Sequence, residues 1–122
     1  MAIATLIERK SFRNPDETRT FTHGRIDIVN VGGTQVGLAR FEPGWKWSKD
    51  VKPIAGTASC QAPHLGYIVA GRMHIVGDDG TEADYEPGDA MSVPPGHDAW
   101  VVGSEPCIIF DVTAAPVYAK KK

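Results

Sequence analysis

Apolar residues fall into short runs of about four to seven positions, each closed by turn-forming residues. The runs cover residues 26–31, 35–41, 67–70, 73–76, 90–93, 99–102 and 107–112, and are rich in Val, Ile, Phe, Tyr and Trp. Between them stand Gly32-Gly33, Pro43-Gly44, Gly71, Gly77-Asp78-Asp79-Gly80, Pro87-Gly88-Asp89, Pro94-Pro95-Gly96 and Gly103-Ser104. β-Branched and aromatic segments of this length, punctuated at this spacing, predict the strands of an all-β sandwich or barrel. Asp79-Gly80, between residues 73–76 and 81–85, predicts a hairpin. Residues 2–10 predict a short helix or an arm. Residues 45–62 carry no strand pattern, and so long an irregular segment predicts a lid or a site wall.

Period-two alternation assigns faces. With Met73 and Ile75 inward, Arg72 and His74 point out. With Met91 and Val93 inward, parity carried through Pro94-Pro95-Gly96 places His97, Ala99 and Val101 inward. Trp100 then faces outward, where it offers a subunit contact.

A length of 122 residues fits one domain. Within it, residues 1–30 read as an arm with the first strands, 31–115 as the barrel and 116–122 as a carboxyl-terminal tail, with the basic end Lys120 to Lys122 solvated. Lys plus Arg is 13 against 15 for Asp plus Glu, a net charge of −2, so no basic excess exists to neutralise nucleic-acid phosphates. The longest uncharged run, 53–71, contains prolines, glycines and His64, which argues against a membrane span. Glu8, Arg9 and Lys10 interrupt any apolar leader core, and the expected location is cytoplasmic. Two cysteines do not make a disulfide scaffold.

Three residues carry candidate metal chemistry. His64, after Pro63 at the start of a strand, reads as a ligand for Zn, Fe, Cu or Ni, or as a core histidine bonded to a backbone carbonyl. His97 reads as a ligand, an acid/base group or a turn residue capping exposed backbone. Cys60 stands four positions before His64, a spacing open to thiolate ligation and equally to a small packed hydrophobe. Cys60 is expected on the pocket wall beside His64 in a packing role, with ligation as the alternative. Cys107 reads as core. Asp98 and Asp111 are outer candidates; Asp111, amid apolar residues, faces out or meets a positive group inside, the outward placement being the plainer reading. Trp45 and Trp47, at i and i+2 of a strand, would share a face and wall an apolar pocket, or pack in the core or a subunit contact. Tyr67 joins them as a candidate ligand contact. Lys49 and Lys52 read as solvated.

Two segments resemble the paired motifs of the cupin superfamily. Gly88-Asp89-Ala90-Met91-Ser92-Val93-Pro94-Pro95-Gly96 follows the second motif through its final glycine. Tyr67-Ile68-Val69-Ala70-Gly71 resembles the close of the first motif, and Pro43-Gly44 its opening. The resemblance spans residues 36–112 and implies an all-β, double-stranded β-helix (jelly-roll) barrel. Its usual three-histidine, one-glutamate metal site is altered here. His64 falls on the glutamate position, Ala58 and Cys60 fall near the two first-motif histidines, and His97 stands two residues before the second-motif position, Ala99.

The resemblance implies two functional readings. One is a small-molecule-binding barrel with an unusual divalent metal site (Zn, Fe, Ni, Cu or Mn) formed by Cys60, His64 and His97. The other is a metal-dependent enzyme of oxygenase, isomerase or lyase type using His64 and His97, with or without Cys60. Both expect His64 and His97 in one cavity. Sheet edges that need cover predict a homodimer, with residues 1–14 crossing between subunits.

Overall fold

The computed structural model describes residues 6–120. In chain order the elements are β1 (Glu17–Phe21), β2 (Gly24–Val31), β3 (Thr34–Phe41), α1 (Trp47–Asp50), α2 (Lys52–Ala55), β4 (His64–Ala70), β5 (Arg72–Gly77), β6 (Glu82–Tyr85), β7 (Ala90–Val93), β8 (His97–Val102) and β9 (Cys107–Asp111). All pairings are antiparallel. They build a six-stranded sheet, β1-β2-β3-β9-β4-β7, and a three-stranded sheet, β6-β5-β8. Every apolar run of the sequence lies largely within a strand, because alternation in each run gives one face to bury.

Inward residues of both sheets meet in one core, with Ile28, Ile68 and Cys107 wholly buried. Met73, Ile75, Met91, Val93, His97, Ala99 and Val101 all face it, as parity requires. Arg72 is exposed and His74 partly so. The Asp79-Gly80 hairpin forms between β5 and β6, with Gly80 at φ +90°. β1 has no apolar run in the sequence. It is a polar edge strand ordered by its pairing with β2, Glu17 opposite Ile28.

The segment 45–62 is more regular than its pattern suggests. It contains α1 and α2, each four residues long, anchored to the barrel by Trp47 and Val51. Gly56 ends α2 at φ +71°, a left-handed turn for which glycine carries no Cβ penalty. Trp47 therefore opens a helix instead of sharing a strand with Trp45, which corrects the strand reading of that pair. Both indoles are nonetheless buried, because the turn at Pro43-Gly44 and α1 fold them under the barrel mouth.

The carboxyl-terminal segment packs on the barrel. Residues 112–119 turn back across it, and Ala114, Ala115 and Tyr118 are buried. Arg19 on β1 fixes this segment, its Nη1 donating to the carbonyls of Ala115 (2.5 Å) and Tyr118 (2.8 Å). Lys121 and Lys122, and residues 1–5, where the expected helix or arm begins, lie outside the described residues. Residues 6–14 contain no helix. Among the described residues no helix is long and apolar enough to cross a membrane.

Candidate metal centre

Cys60, His64 and His97 come together at one mouth of the barrel. Backbone pairing places the first and last: Cys60 N–H donates to the His97 carbonyl at 2.8 Å, and Gly96 N–H donates to the Cys60 carbonyl at 2.7 Å. His64 opens β4, pairs with Val93 of β7, and so lies beside the Pro94-Pro95-Gly96 turn that leads into His97. The two imidazole rings are 5.0 Å apart between centroids. Cys60 Sγ lies 3.9 Å from His64 Nε2. One ligand atom from each residue falls within 4.8 Å of the others, a spacing that could hold a metal ion.

Hydrogen bonds fix which nitrogen each histidine offers. Asp111 Oδ2 lies 2.6 Å from His64 Nδ1, and a carboxylate only accepts, so Nδ1 carries the proton and Nε2 keeps its lone pair. The Pro94 carbonyl lies 2.9 Å from His97 Nδ1 and likewise leaves that ring's Nε2 unprotonated. Carboxylate and carbonyl partners of this kind orient the ligating histidines of metal sites.

Burial holds two of the three donors uncharged when no cation is bound. Burial pushes His97 down to about 4, with His64 beside it adding to the shift, so its ring is uncharged at neutral pH. Burial pushes the Cys60 thiol up to about 12, and the charges of Asp111 and Asp98 add to the effect. For Asp111, burial alone would raise the carboxyl. The hydrogen bond from His64, with the N–H groups of Thr113 and Ala114, holds it below the usual value instead. Asp111 is thus buried and turned inward, which corrects the outward reading. Its second oxygen accepts from Thr113 N and Ala114 N, each at 3.0 Å.

The histidines open onto an internal cavity of about 30 Å³, lined mainly by apolar side chains with Trp45, Trp47, His64, His97, Asp111 and Tyr118. That volume holds one or two water-sized groups. Tyr118 was not anticipated as a site residue. Its ring lies 5.6 Å from that of His64, and its hydroxyl, like the Trp45 indole Nε1, is buried with no hydrogen-bond partner among the described residues. The clue in the sequence is an apolar stretch, residues 114–119, too hydrophobic for a free tail.

Other candidates lie elsewhere. Tyr67 is 48% exposed, because alternation along β4 turns it to the outer face, away from the cavity. Lys49 donates to the Gly44 carbonyl at the surface, and Lys52 is exposed. Asp98 accepts from Ser48 N and Ala99 N and does not face the cavity. Trp100 sits on the outer face of β8, its ring 4.8 Å from His74 and 5.1 Å from Lys46 Nζ.

By sequence the chain matches no family model and no curated protein. Its architecture has many counterparts among solved structures. A cupin-like protein from Thermotoga maritima matches at TM-score 0.53 and 18% identity, over 77% of this chain and 71% of that one. A sugar phosphate isomerase of the cupin superfamily from Silicibacter pomeroyi matches at TM-score 0.55 and 21% identity, over 80% and 70%. The fold is that of the cupins. A protein of unknown function from Acidithiobacillus ferrooxidans shares it at TM-score 0.59 and 15% identity, over 81% and 88% of the two chains. In this cupin barrel the cavity-lining residues that carry polar groups are Trp45, Trp47, His64, His97, Asp111 and Tyr118, and Cys60 stands beside His64.

Proposed function

We propose that this cupin binds a divalent metal through Cys60 Sγ, His64 Nε2 and His97 Nε2, and presents it to a small molecule at the barrel mouth. The observation that carries the reading is that both histidines are held in the Nε2-ligating tautomer by acceptors at Nδ1, Asp111 and the Pro94 carbonyl. A histidine packed only for bulk does not need a buried carboxylate behind it. One thiolate and two imidazoles suit zinc, copper or iron better than magnesium, calcium or manganese, which favour oxygen donors. Three protein ligands leave a fourth position for a water or a bound molecule, and a metal there would act as a Lewis acid toward an oxygen of that molecule.

What the chain itself does is orient and exclude. Asp111 keeps the proton on His64 Nδ1, Pro94 keeps it on His97 Nδ1, and the apolar wall limits water to one or two molecules. An isomerase acting on a sugar phosphate is disfavoured here, since no Lys or Arg lines the cavity and its volume of about 30 Å³ is too small for such a substrate. A binding protein and an enzyme would use the same cavity and the same donors, and only turnover of the bound molecule separates the two.

Metal content by elemental analysis tests the reading, for the purified protein and for Cys60→Ser and His64→Ala. Near one equivalent in the parent, with strong loss in both variants while the fold persists by circular dichroism, is the expected result. An apo protein that takes up neither zinc nor cobalt would overturn it.

A further inference from the structure

The segment that closes the barrel is attached unevenly. Up to Ala114 it is tied to the large sheet and its loops. Val112 N donates to the Leu65 carbonyl at 2.9 Å, Thr113 Oγ1 to the Pro63 carbonyl at 3.0 Å, and Thr113 N and Ala114 N to Asp111. From Ala115 to Lys120, among the described residues, the hydrogen bonds to the rest of the barrel come from one nitrogen. Arg19 Nη1 donates to the carbonyls of Ala115 and Tyr118 at 2.5 and 2.8 Å, while Nε and Nη2 of the same guanidinium hold Glu17. Val117 N and Tyr118 N both donate to the Ala114 carbonyl, within the segment itself. Residues 114–118 are therefore a self-contained turn, anchored at its start and latched from the edge strand β1.

That turn covers the candidate centre. Tyr118 is buried with its ring 5.6 Å from that of His64. It lines both the inner cavity and an outer hollow of about 280 Å³, whose wall also includes Trp47, Ala62 and Val117. Cys60 is 2% exposed and His97 3%, so neither an ion in its hydration shell nor a small molecule reaches them while Tyr118 is in place. Closure also has a built-in cost. The Tyr118 hydroxyl is buried with no hydrogen-bond partner among the described residues, and opening would return it to water. Against that cost stand Arg19 and edge-on contacts with Phe21 and Phe41, at 6.0 and 6.4 Å between ring centroids. A segment with few anchors opens more readily than the strands beneath it.

We propose that residues 115–120 form a strap latched by Arg19, whose release swings Tyr118 off His64 and opens the route from the outer hollow to Cys60, His64 and His97. The strap rests on the contacts above, and only the nature of what passes beneath it rests on the metal reading.

Alkylation of the folded, metal-free protein by N-ethylmaleimide, with the two cysteines resolved by peptide mass, tests the strap without a metal. Cys60 lies behind the strap, whereas Cys107, wholly buried on β9, reports unfolding of the barrel. Cys60 should react faster than Cys107 in the parent. Arg19→Ala removes two charge-assisted hydrogen bonds and should raise the Cys60 rate, relative to Cys107, about tenfold or more. Tyr118→Phe removes the unmatched hydroxyl with little change of shape, favours closure and should lower that ratio severalfold. Opposite shifts from two variants of one contact are not what general loosening of the fold produces. Equal rates at the two cysteines in the parent, or a ratio that Arg19→Ala leaves unchanged, would overturn the strap. If Arg19→Ala does not fold, Tyr118→Phe decides alone: a lower ratio supports the strap and an unchanged one overturns it. With cobalt as the probe, Arg19→Ala should speed uptake and release by a similar factor and leave the dissociation constant nearly unchanged. Cobalt rates equal to the parent's would overturn the strap as the route to the centre. Cysteine rates that shift as expected in a protein that takes up no cobalt would support the strap and overturn the metal reading alone.

Discussion

Asp111→Asn changes one oxygen of the candidate centre to an amide nitrogen and nearly nothing else in shape. In the folded protein the carboxylate serves two partners: Oδ2 takes the His64 Nδ1 proton at 2.6 Å, and Oδ1 takes the N–H groups of Thr113 and Ala114 at 3.0 Å. The asparagine oxygen still satisfies the backbone pair, which leaves its amide N–H facing His64. Two donors cannot share that contact, so His64 must move its proton to Nε2 and accept at Nδ1. The nitrogen that faced Cys60 at 3.9 Å then carries a hydrogen where a metal needs a lone pair. Loss of such a supporting carboxylate costs about 10- to 100-fold in metal affinity. The charge-assisted hydrogen bond is worth roughly 1.5–3 kcal/mol, offset in part because a buried charge disappears with it. Stability should therefore fall by less than affinity suggests. Zinc affinity by competition with a chromophoric chelator, urea unfolding of the metal-free protein, and nitrogen-15 spectra of the imidazoles measure the three effects. A folded variant with zinc affinity within about twofold of the parent would refute the tautomer reasoning.

Three further outcomes are expected. Metal affinity should rise about tenfold per pH unit between pH 6 and 8 through Cys60, because a thiol held at about 12 by burial must lose its proton to ligate; Cys60→Ser should flatten that slope, and an unchanged slope would remove Cys60 from the ligand set. His97 is held near 4 in the folded protein, below its unfolded value of about 6.5, so the unfolded chain binds the extra proton between them. Metal-free stability should thus be complete above pH 6.5 and fall by up to about 3 kcal/mol toward pH 4, and a His97→Gln profile identical to the parent's in urea unfolding would contradict this. Gly71→Ala should destabilise by more than about 2 kcal/mol, since Gly71 has φ +73° and an added Cβ would strike the Pro106 carbonyl; an unchanged denaturation midpoint would show that the β4–β5 turn relaxes freely.

The strands were legible because each carries its own alternation and its own terminating turn. His97, Ala99 and Val101 could be assigned inward from parity alone, since the Pro94-Pro95-Gly96 turn preserves it. β1 was not legible. Its residues, Glu-Thr-Arg-Thr-Phe, are extended by pairing with β2 and not by burial of a face of their own. The helices of 47–55 were hidden because a four-residue helix offers no period to count. At the site, His64, His97 and Cys60 stood out through residue type and position near the two motif segments. Tyr118 did not, because what buries it is Arg19, nearly a hundred positions away in sequence, bonding its carbonyl. Asp111 was read outward because a carboxylate in an apolar strand costs free energy unless a partner waits, and that partner, His64, is brought by a different strand.

The strand register that brings them together depends on Gly66. β4 and β9 approach so closely there that a Cβ at residue 66 would collide with the Phe110 carbonyl. Gly66 lies opposite Asp111, and His64, two positions earlier on the same face of β4, then meets its carboxylate. Asp111 is also the last residue of β9, so its other oxygen caps the turn that starts the segment closing the barrel. One side chain thereby holds a candidate metal ligand in its ligating tautomer and sets the direction in which residues 113–118 leave the sheet. Tyr118, further along that segment and held by Arg19, has its ring 5.6 Å from that of His64. The carboxylate that orients the histidine thus also anchors the first residues of the closing segment, Thr113 and Ala114.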